Sequence, residues 1–283
     1  MAPVQFGHLE PEEHNKLNSI LRLLFPCSVH VQRTRILNGH LHSLRLLTLS
    51  NGVQLLLKSS PSRTTALLRR DRFLLETEAR ALALLGQSAN PCVPRLFHYH
   101  PQGTSLEPPF LVRQYIMGST LQSMEARLTA ENRADVDRHL GFLVHVVGQH
   151  VAPVFGPLEQ VASGRGRRSW WEAFVDLFEA VLRDAEDMFI HLPYAEIRHE
   201  VTRLSHSLGD VTIPRLVVVD MGDPSQVLLD PESRQVSGIV DFSSALWGDV
   251  LMAEVFDNPS PALLDGFGSG LVKSKSGKIR SLL

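Results

Sequence analysis

The first third of the chain is patterned for strands. Residues 29–37 are rich in β-formers and end at Asn38-Gly39; residues 44–49 and 53–58 are apolar runs flanking Ser50-Asn51-Gly52. Asn-Gly between two such runs is a strong hairpin signal. Residues 93–99 and 110–116 read as two more strands, with a turn around Gly103. Between these pairs, residues 69–85 change period. Leu74, Leu75, Leu82 and Leu85 recur on one helical face, and Glu78 sits among them. The pattern predicts a small antiparallel sheet with one helix packed on it.

Beyond Gly118 helical spacing takes over. Ser119 or Thr120 can cap a short helix, and residues 133–149, 170–190 and 194–208 read as longer ones. Strand signals return at 216–219, 227–229 and 236–240, with Pro231 turning the last two, and Pro259 and Pro261 precede a short helix near Leu263. From about residue 266 the chain is Gly- and Lys-rich, without a pattern for regular structure. No internal repeat is visible. The expected architecture is α+β with two lobes. A β-sheet lobe with one helix, residues 1–116, joins a mainly helical lobe, residues 117–283, and a cleft at the joint is a natural ligand site.

Composition narrows the function classes. Of 283 residues, 43% are hydrophobic and 20% charged, enough for a packed core. The net charge of −2 gives no broad cationic field for nucleic acid or an anionic membrane. The basic clusters at 69–72, 165–168 and 273–278 are short enough to be solvated loops. Two cysteines, Cys27 and Cys92, cannot build a disulfide framework or a Cys-based metal site, which suits a reducing compartment. Glu10, Glu12, Glu13 and His14 stand where a signal peptide needs apolar residues, and no run approaches the roughly 20 apolar residues of a membrane span. A cytoplasmic protein with neither a nucleic-acid nor a membrane partner is expected.

The chemistry-bearing residues come in a set order. Lys58 ends an apolar strand, and Glu78 lies on the sheet-facing side of the following helix. A carboxylate there is costly without a cationic partner, so the two are expected to pair, with Glu76 as the fallback on a less suitable face. Asp241 ends the apolar strand 236–240, where an acid can share a divalent ion with phosphate oxygens. Residues 214–230 are a β run emptying into a loop with Asp220 and Asp223, followed by another β run. Each acid alone could equally initiate a turn. His40/His42 and His98/His100 have the spacing for chelation from one strand face but lack a nearby carboxylate or cysteine, and no nucleophile elbow for Ser-His-Asp hydrolysis is present.

Taken together, Lys58, the helix Glu78, the short connection, the acidic loop and the 236–242 strand ending Asp241-Phe242 resemble the aminoglycoside phosphotransferase and choline kinase-like family in its fungal and bacterial branch. The segment Ala245-Leu246-Trp247-Gly248-Asp249 and the helix from Trp170 to Asp187 add to the likeness, which spans about residues 28–270. The resemblance implies a protein-kinase-like fold and an ATP- and Mg²⁺-dependent transfer to a hydroxyl of a small-molecule acceptor. It implies that Lys58 contacts phosphates, held by Glu78, and that Gln114, Tyr115, Ile116 and Met117 line the adenine pocket. Asp220 would be the catalytic aspartate, with Asp223 as its substitute or an extra metal ligand, and Asp241 and Gln226 would bind metal.

The catalytic loop departs from the family pattern. Val218 stands at the position of a His, Gln226 at that of an Asn, and the loop is one residue longer. The alternative expectation is therefore a divergent kinase-fold protein: a pseudokinase, a binding scaffold, or a cleft recruited for non-phosphoryl chemistry such as cyclisation.

Overall fold

The computed structural model describes residues 11–268, apart from 23, 27, 40, 62–64, 89 and 103–107. The Gly103 turn, Cys27, His40 and residues 269–283 of the tail lie outside the described residues. Residues 266 and 267, read as tail from the sequence, instead close the last helix.

An antiparallel five-stranded sheet forms in the order β1-β2-β3-β5-β4, from β1 (Val31–Leu37), β2 (Ser43–Leu49), β3 (Gln54–Ser59), β4 (Leu96–His100) and β5 (Phe110–Gln114). Gly52, at φ +83°, makes the β2–β3 hairpin turn, a conformation open to glycine and costly for most other residues. Helix α1 (Pro11–Arg22) was not expected from the sequence. Leu17 and Leu21 on it join Val31, Leu47, Leu49, Leu55 and Leu57 in a core on one face of the sheet. Helix α2 (Leu74–Leu85) covers the other side through Leu75, Ala79 and Leu111. It starts later than its periodicity suggested, because residues 71–73 form a 3₁₀ turn.

The chain then crosses to a larger, mostly helical half. β6 (Ser119–Thr120) leads into α3 (Leu121–Met124), whose cap is Thr120: its side chain accepts the Ser123 N–H at 3.2 Å. α4 (Ala130–Val147) opens with a capping box between Thr129 and Asn132. β7 (Gly156–Pro157), α5 (Leu158–Ala162), α6 (Trp170–Asp187) and α7 (Tyr194–Leu204) follow. β8 (Arg215–Val218), β9 (Val227–Leu229), β10 (Val236–Ile239), β11 (Ala245–Gly248) and α8 (Pro261–Phe267) complete the described chain. Two three-stranded sheets, β10-β9-β6 and β7-β11-β8, present the loops that carry the acids. β6, β7 and β11 are two to four residues long and gave no strand signal in the sequence. The main core runs from α2 through α4, α6 and α8, with Trp170 and Phe242 almost fully enclosed.

Candidate active site

Lys58 sits on β3 where the strand passes under α2. Its Nζ lies 2.6 Å from Glu78 Oε2 and 3.2 Å from Asp241 Oδ2. Glu78 has no exposed surface, and its other oxygen lies 3.0 Å from Nε of Arg113 on β5. Arg113 also donates to the Val240 carbonyl at 2.6 Å, tying the sheet to the segment that carries Asp241. Two buried cations thus face two acids, which offsets a desolvation cost that a lone charge here could not meet. Glu76, the fallback partner, pairs instead with Arg80 at 2.7 Å.

The electrostatics follow from this grouping. Burial works against the Lys58 ammonium, but Glu78 and then Asp241 more than compensate and raise its pKa. Burial likewise opposes ionisation of Asp241; the Lys58 charge and the Ser243 N–H outweigh it and hold the carboxyl below its usual value. His42, immediately before β2, shares this environment. Burial, assisted by the Lys58 charge and opposed by Asp241, lowers its pKa to about 4, so the ring is neutral at physiological pH.

The acids are joined by adjacent serines. Asp241 Oδ1 accepts the Ser243 N–H at 2.8 Å, and Asp220 Oδ1 accepts the Ser244 hydroxyl in a short hydrogen bond. The Asp220 N–H in turn donates to Ser244 Oγ at 3.3 Å. Asp220 Oδ2 accepts from the Gln226 amide at 2.9 Å. The loop between them is closed by the Asp220 carbonyl accepting the Asp223 N–H at 3.1 Å and by Gly222 at φ +116°. Asp223 Oδ1 accepts the Ser225 N–H at 2.8 Å, so this carboxylate shapes the loop. Val218 is buried in the apolar core, and Ser244 supplies a polar brace to Asp220 from the opposite strand end.

Gln226 provides an independent observation. Its Oε1 is buried with no hydrogen-bond partner among the described residues. The backbone places it beside Asp241's segment, since the Val240 N–H donates to the Gln226 carbonyl at 3.0 Å. An orphaned buried oxygen is costly unless something outside the chain uses it. Asp241 and Gln226 together offer oxygen ligands alone, the donor type that a hard divalent cation such as Mg²⁺ takes, with its remaining positions filled by water or phosphate.

Gln114, Tyr115, Ile116 and Met117 form the connection out of β5. The Gln114 N–H donates to the Arg95 carbonyl at 2.8 Å, and the Met117 carbonyl accepts from Ser237 Oγ at 3.1 Å. Gly238 lets β10 lie against the connection, because a Cβ there would press on the Ile116 side chain at 2.6 Å. Arg113, Ser244 and His42 escaped the sequence reading as members of the charged cluster. Arg113 is a lone charge inside the expected strand 110–116, Ser244 has no motif, and His42 was weighed only as half of a chelating pair. No group of three His, Cys, Asp or Glu side chains fit to hold a metal occurs among the described residues, and His98 and His100 pack against Phe110. No described helix is long and apolar enough to cross a membrane.

Beside Val219 and residues 243–246 lies an apolar cavity of about 470 Å³. Its walls come from α2, α5, α6 and the strand ends at Val219 and residues 243–246.

No protein-family model matches the chain, and no curated protein matches it in sequence. Solved structures do match. The aminoglycoside phosphotransferase APH(2")-IIa, in a ternary complex with streptomycin and ATP, superposes with a TM-score of 0.61 at 13% identity, covering 98% of this chain and 86% of that one. The macrolide 2'-phosphotransferase MphH of Brachybacterium faecium gives 0.55 at 16% identity, with 94% and 87% covered. A putative fructosamine-3-kinase of Thermobifida fusca gives 0.56 at 18%, with 95% and 85% covered. At these identities the likeness is one of fold: the chain has the two-lobed, protein-kinase-like α+β fold of small-molecule kinases.

Proposed function

We propose that the protein is an ATP- and Mg²⁺-dependent phosphotransferase acting on a hydroxyl group of a small molecule. The observation that carries this reading is the Lys58 ammonium, bonded at once to Glu78 on α2 and to Asp241 after β10. It is a fixed cation at the joint of the two halves, oriented from one side and facing the candidate metal ligand on the other. Phosphoryl transfer relies on such positioning more than on covalent chemistry by the protein. The ATP-bound state of the APH(2")-IIa structure supports the choice of donor.

In this reading Lys58 binds phosphate oxygens of ATP, while Glu78 and Arg113 keep its side chain in place. Asp241 and Gln226 Oε1 hold Mg²⁺, which when bound neutralises developing phosphate charge. Residues 114–117 face the adenine. Asp220 orients the acceptor hydroxyl and takes its proton, with Ser244 and Gln226 fixing the carboxylate plane. The hydroxyl oxygen bonds to the γ-phosphorus as that phosphorus parts from the bridging oxygen, and ADP leaves with the electron pair.

A second reading, a nucleotide-binding scaffold without transfer, is favoured by one observation: both Asp220 oxygens already accept hydrogen bonds within the chain. Slow Mg²⁺-dependent ATP hydrolysis, with water in place of the acceptor, separates the two. Asp220→Asn is expected to lower that rate about 100-fold or more, the scale of general-base assistance, with ATP affinity kept. Equal hydrolysis by wild type and variant would overturn the assignment of Asp220. ATP binding with no hydrolysis by the wild type would favour the scaffold.

A further inference from the structure

Helix α6 carries an apolar stripe of Phe174, Leu177, Phe178 and Val181, the spacing of a face made to be covered. The described residues do not fill all the space beside it, although Phe174 reaches the main core and Leu177 and Phe178 pack against that core. The stripe also lines the cavity of about 470 Å³, opposite Phe155, Leu246 and Met252. An open apolar cavity of this volume is typical of small-molecule sites. One end of the cavity is formed by Val219 and Ser244. Val219 precedes Asp220 and Ser244 donates to its carboxylate, so the cavity reaches the proposed base within one hydrogen bond.

Two of the three acids on the cavity wall are already paired. Asp184 accepts from the Arg69 side chain and also from the Arg69 N–H at 3.1 Å. Asp176 pairs with Arg167 at 2.6 Å. Burial pushes the Glu159 carboxyl up, toward its neutral form. With Arg70 also on the wall, three arginines face three acids. A polycationic acceptor would find Asp176 and Asp184 already paired and Glu159 buried, and would lose hydration against aromatic walls.

We propose that the acceptor is an uncharged, largely apolar alcohol or phenol. Its body fills the cavity along α6, and its hydroxyl points to Asp220 at the Ser244 end. This rests on the phosphotransfer reading for the word acceptor; the class of ligand rests on the cavity.

The test titrates the full chain calorimetrically with 2-naphthol, a neutral apolar hydroxyl compound, and with spermine, a polycation, and separately with ATP and Mg²⁺. Ala180→Trp, on the cavity wall, fills the space; Val181→Glu, at an exposed position on the same face, adds a charge without disturbing the core. Wild type is expected to bind 2-naphthol and not spermine. Each variant is expected to weaken 2-naphthol at least about tenfold, roughly 1.4 kcal/mol, with ATP affinity unchanged. Should Ala180→Trp fail to fold, Val181→Glu gives the same reading. Absence of 2-naphthol binding, equal binding by the variants, or preferential binding of spermine would overturn the proposed ligand class. Binding of 2-naphthol together with failure to bind ATP would overturn the phosphotransfer reading and the acceptor role, while leaving the cavity's preference standing.

Discussion

Lys58 on β3 and Arg113 on the neighbouring β5 converge on one carboxylate, Glu78, which has no exposed surface. Removing either partner of such a group leaves a buried charge uncompensated, which costs far more than a surface pair. The Lys58–Glu78 pair was legible in the sequence for that reason: a carboxylate set within an apolar helix face needs a cationic partner. Asp241 stood out only as the acid ending an apolar strand within the family-like order of motifs. Arg113 follows the same rule but was missed, because within the expected strand 110–116 a lone arginine carries no sign of which buried acid it meets. Ser244 and His42 were missed as site members because their significance depends on residues far away in the chain. His42 gives a pH test. Its pKa is lowered from 6.5 to about 4 on folding, so the unfolded chain takes up a proton that the folded one refuses. The stability tied to neutral His42 is present above pH 6.5 and is lost as pH falls toward 4. Urea unfolding of His42→Asn is expected to show a shallower loss of stability across that window than wild type, the difference being at most about 1.4 kcal/mol per pH unit for one proton. Some slope remains, since burial also lowers the pKa of His98 and His139. Identical slopes would show that folding does not hold His42 neutral.

Among the elements, the long helices and the hairpin declare themselves through periodicity and turn residues, while the short strands do not. β11 is four residues long and exists because β8 and β7 flank it in register, Leu246 opposite Val217 on one side and Pro157 on the other. α1 was overlooked because its sequence is mostly polar, and it is held by a few contacts such as Leu17, Leu21 and the Asn18 side chain, which accepts the Val31 N–H at 3.0 Å. The closeness of the α4–α8 contact was also illegible, because the glycines that allow it leave no mark in the hydrophobic pattern. A Cβ on Gly141 would collide with the Leu263 carbonyl, and one on Gly266 with the Arg138 carbonyl, so the two helices approach backbone to backbone. Gly141→Ala is expected to force α8 outward and destabilise the protein by about 1–3 kcal/mol in chemical denaturation, even though alanine is the better helix former. An unchanged or raised midpoint would show that the helices are not locked in this contact.

At the scale of the molecule, the charged cluster and the segment beside it tie the sheet to the helical half. Lys58 reaches Asp241, Arg113 reaches the Val240 carbonyl, and the Ile239 N–H donates to the Cys92 carbonyl at 2.9 Å. Arg69 adds a bridge to Asp184 and Asp187 on α6, but the pair is partly solvated and contributes little stability. The two-part α+β plan was readable from the change of hydrophobic period near Gly118. The cavity was not: the stripe on α6 has the spacing of any core-facing helix, and only the fold shows that a cavity lies against part of it.

Calorimetric titration of ATP, with and without Mg²⁺, tests the central claim most directly. Wild type is expected to bind ATP at least about tenfold more tightly with Mg²⁺ present, a gain of roughly 1.4 kcal/mol. Asp241→Ala is expected to lose that dependence, and Lys58→Met to bind more weakly under both conditions. ATP binding that is indifferent to Mg²⁺ and equal in all three proteins would contradict a nucleotide site built on Lys58 and Asp241.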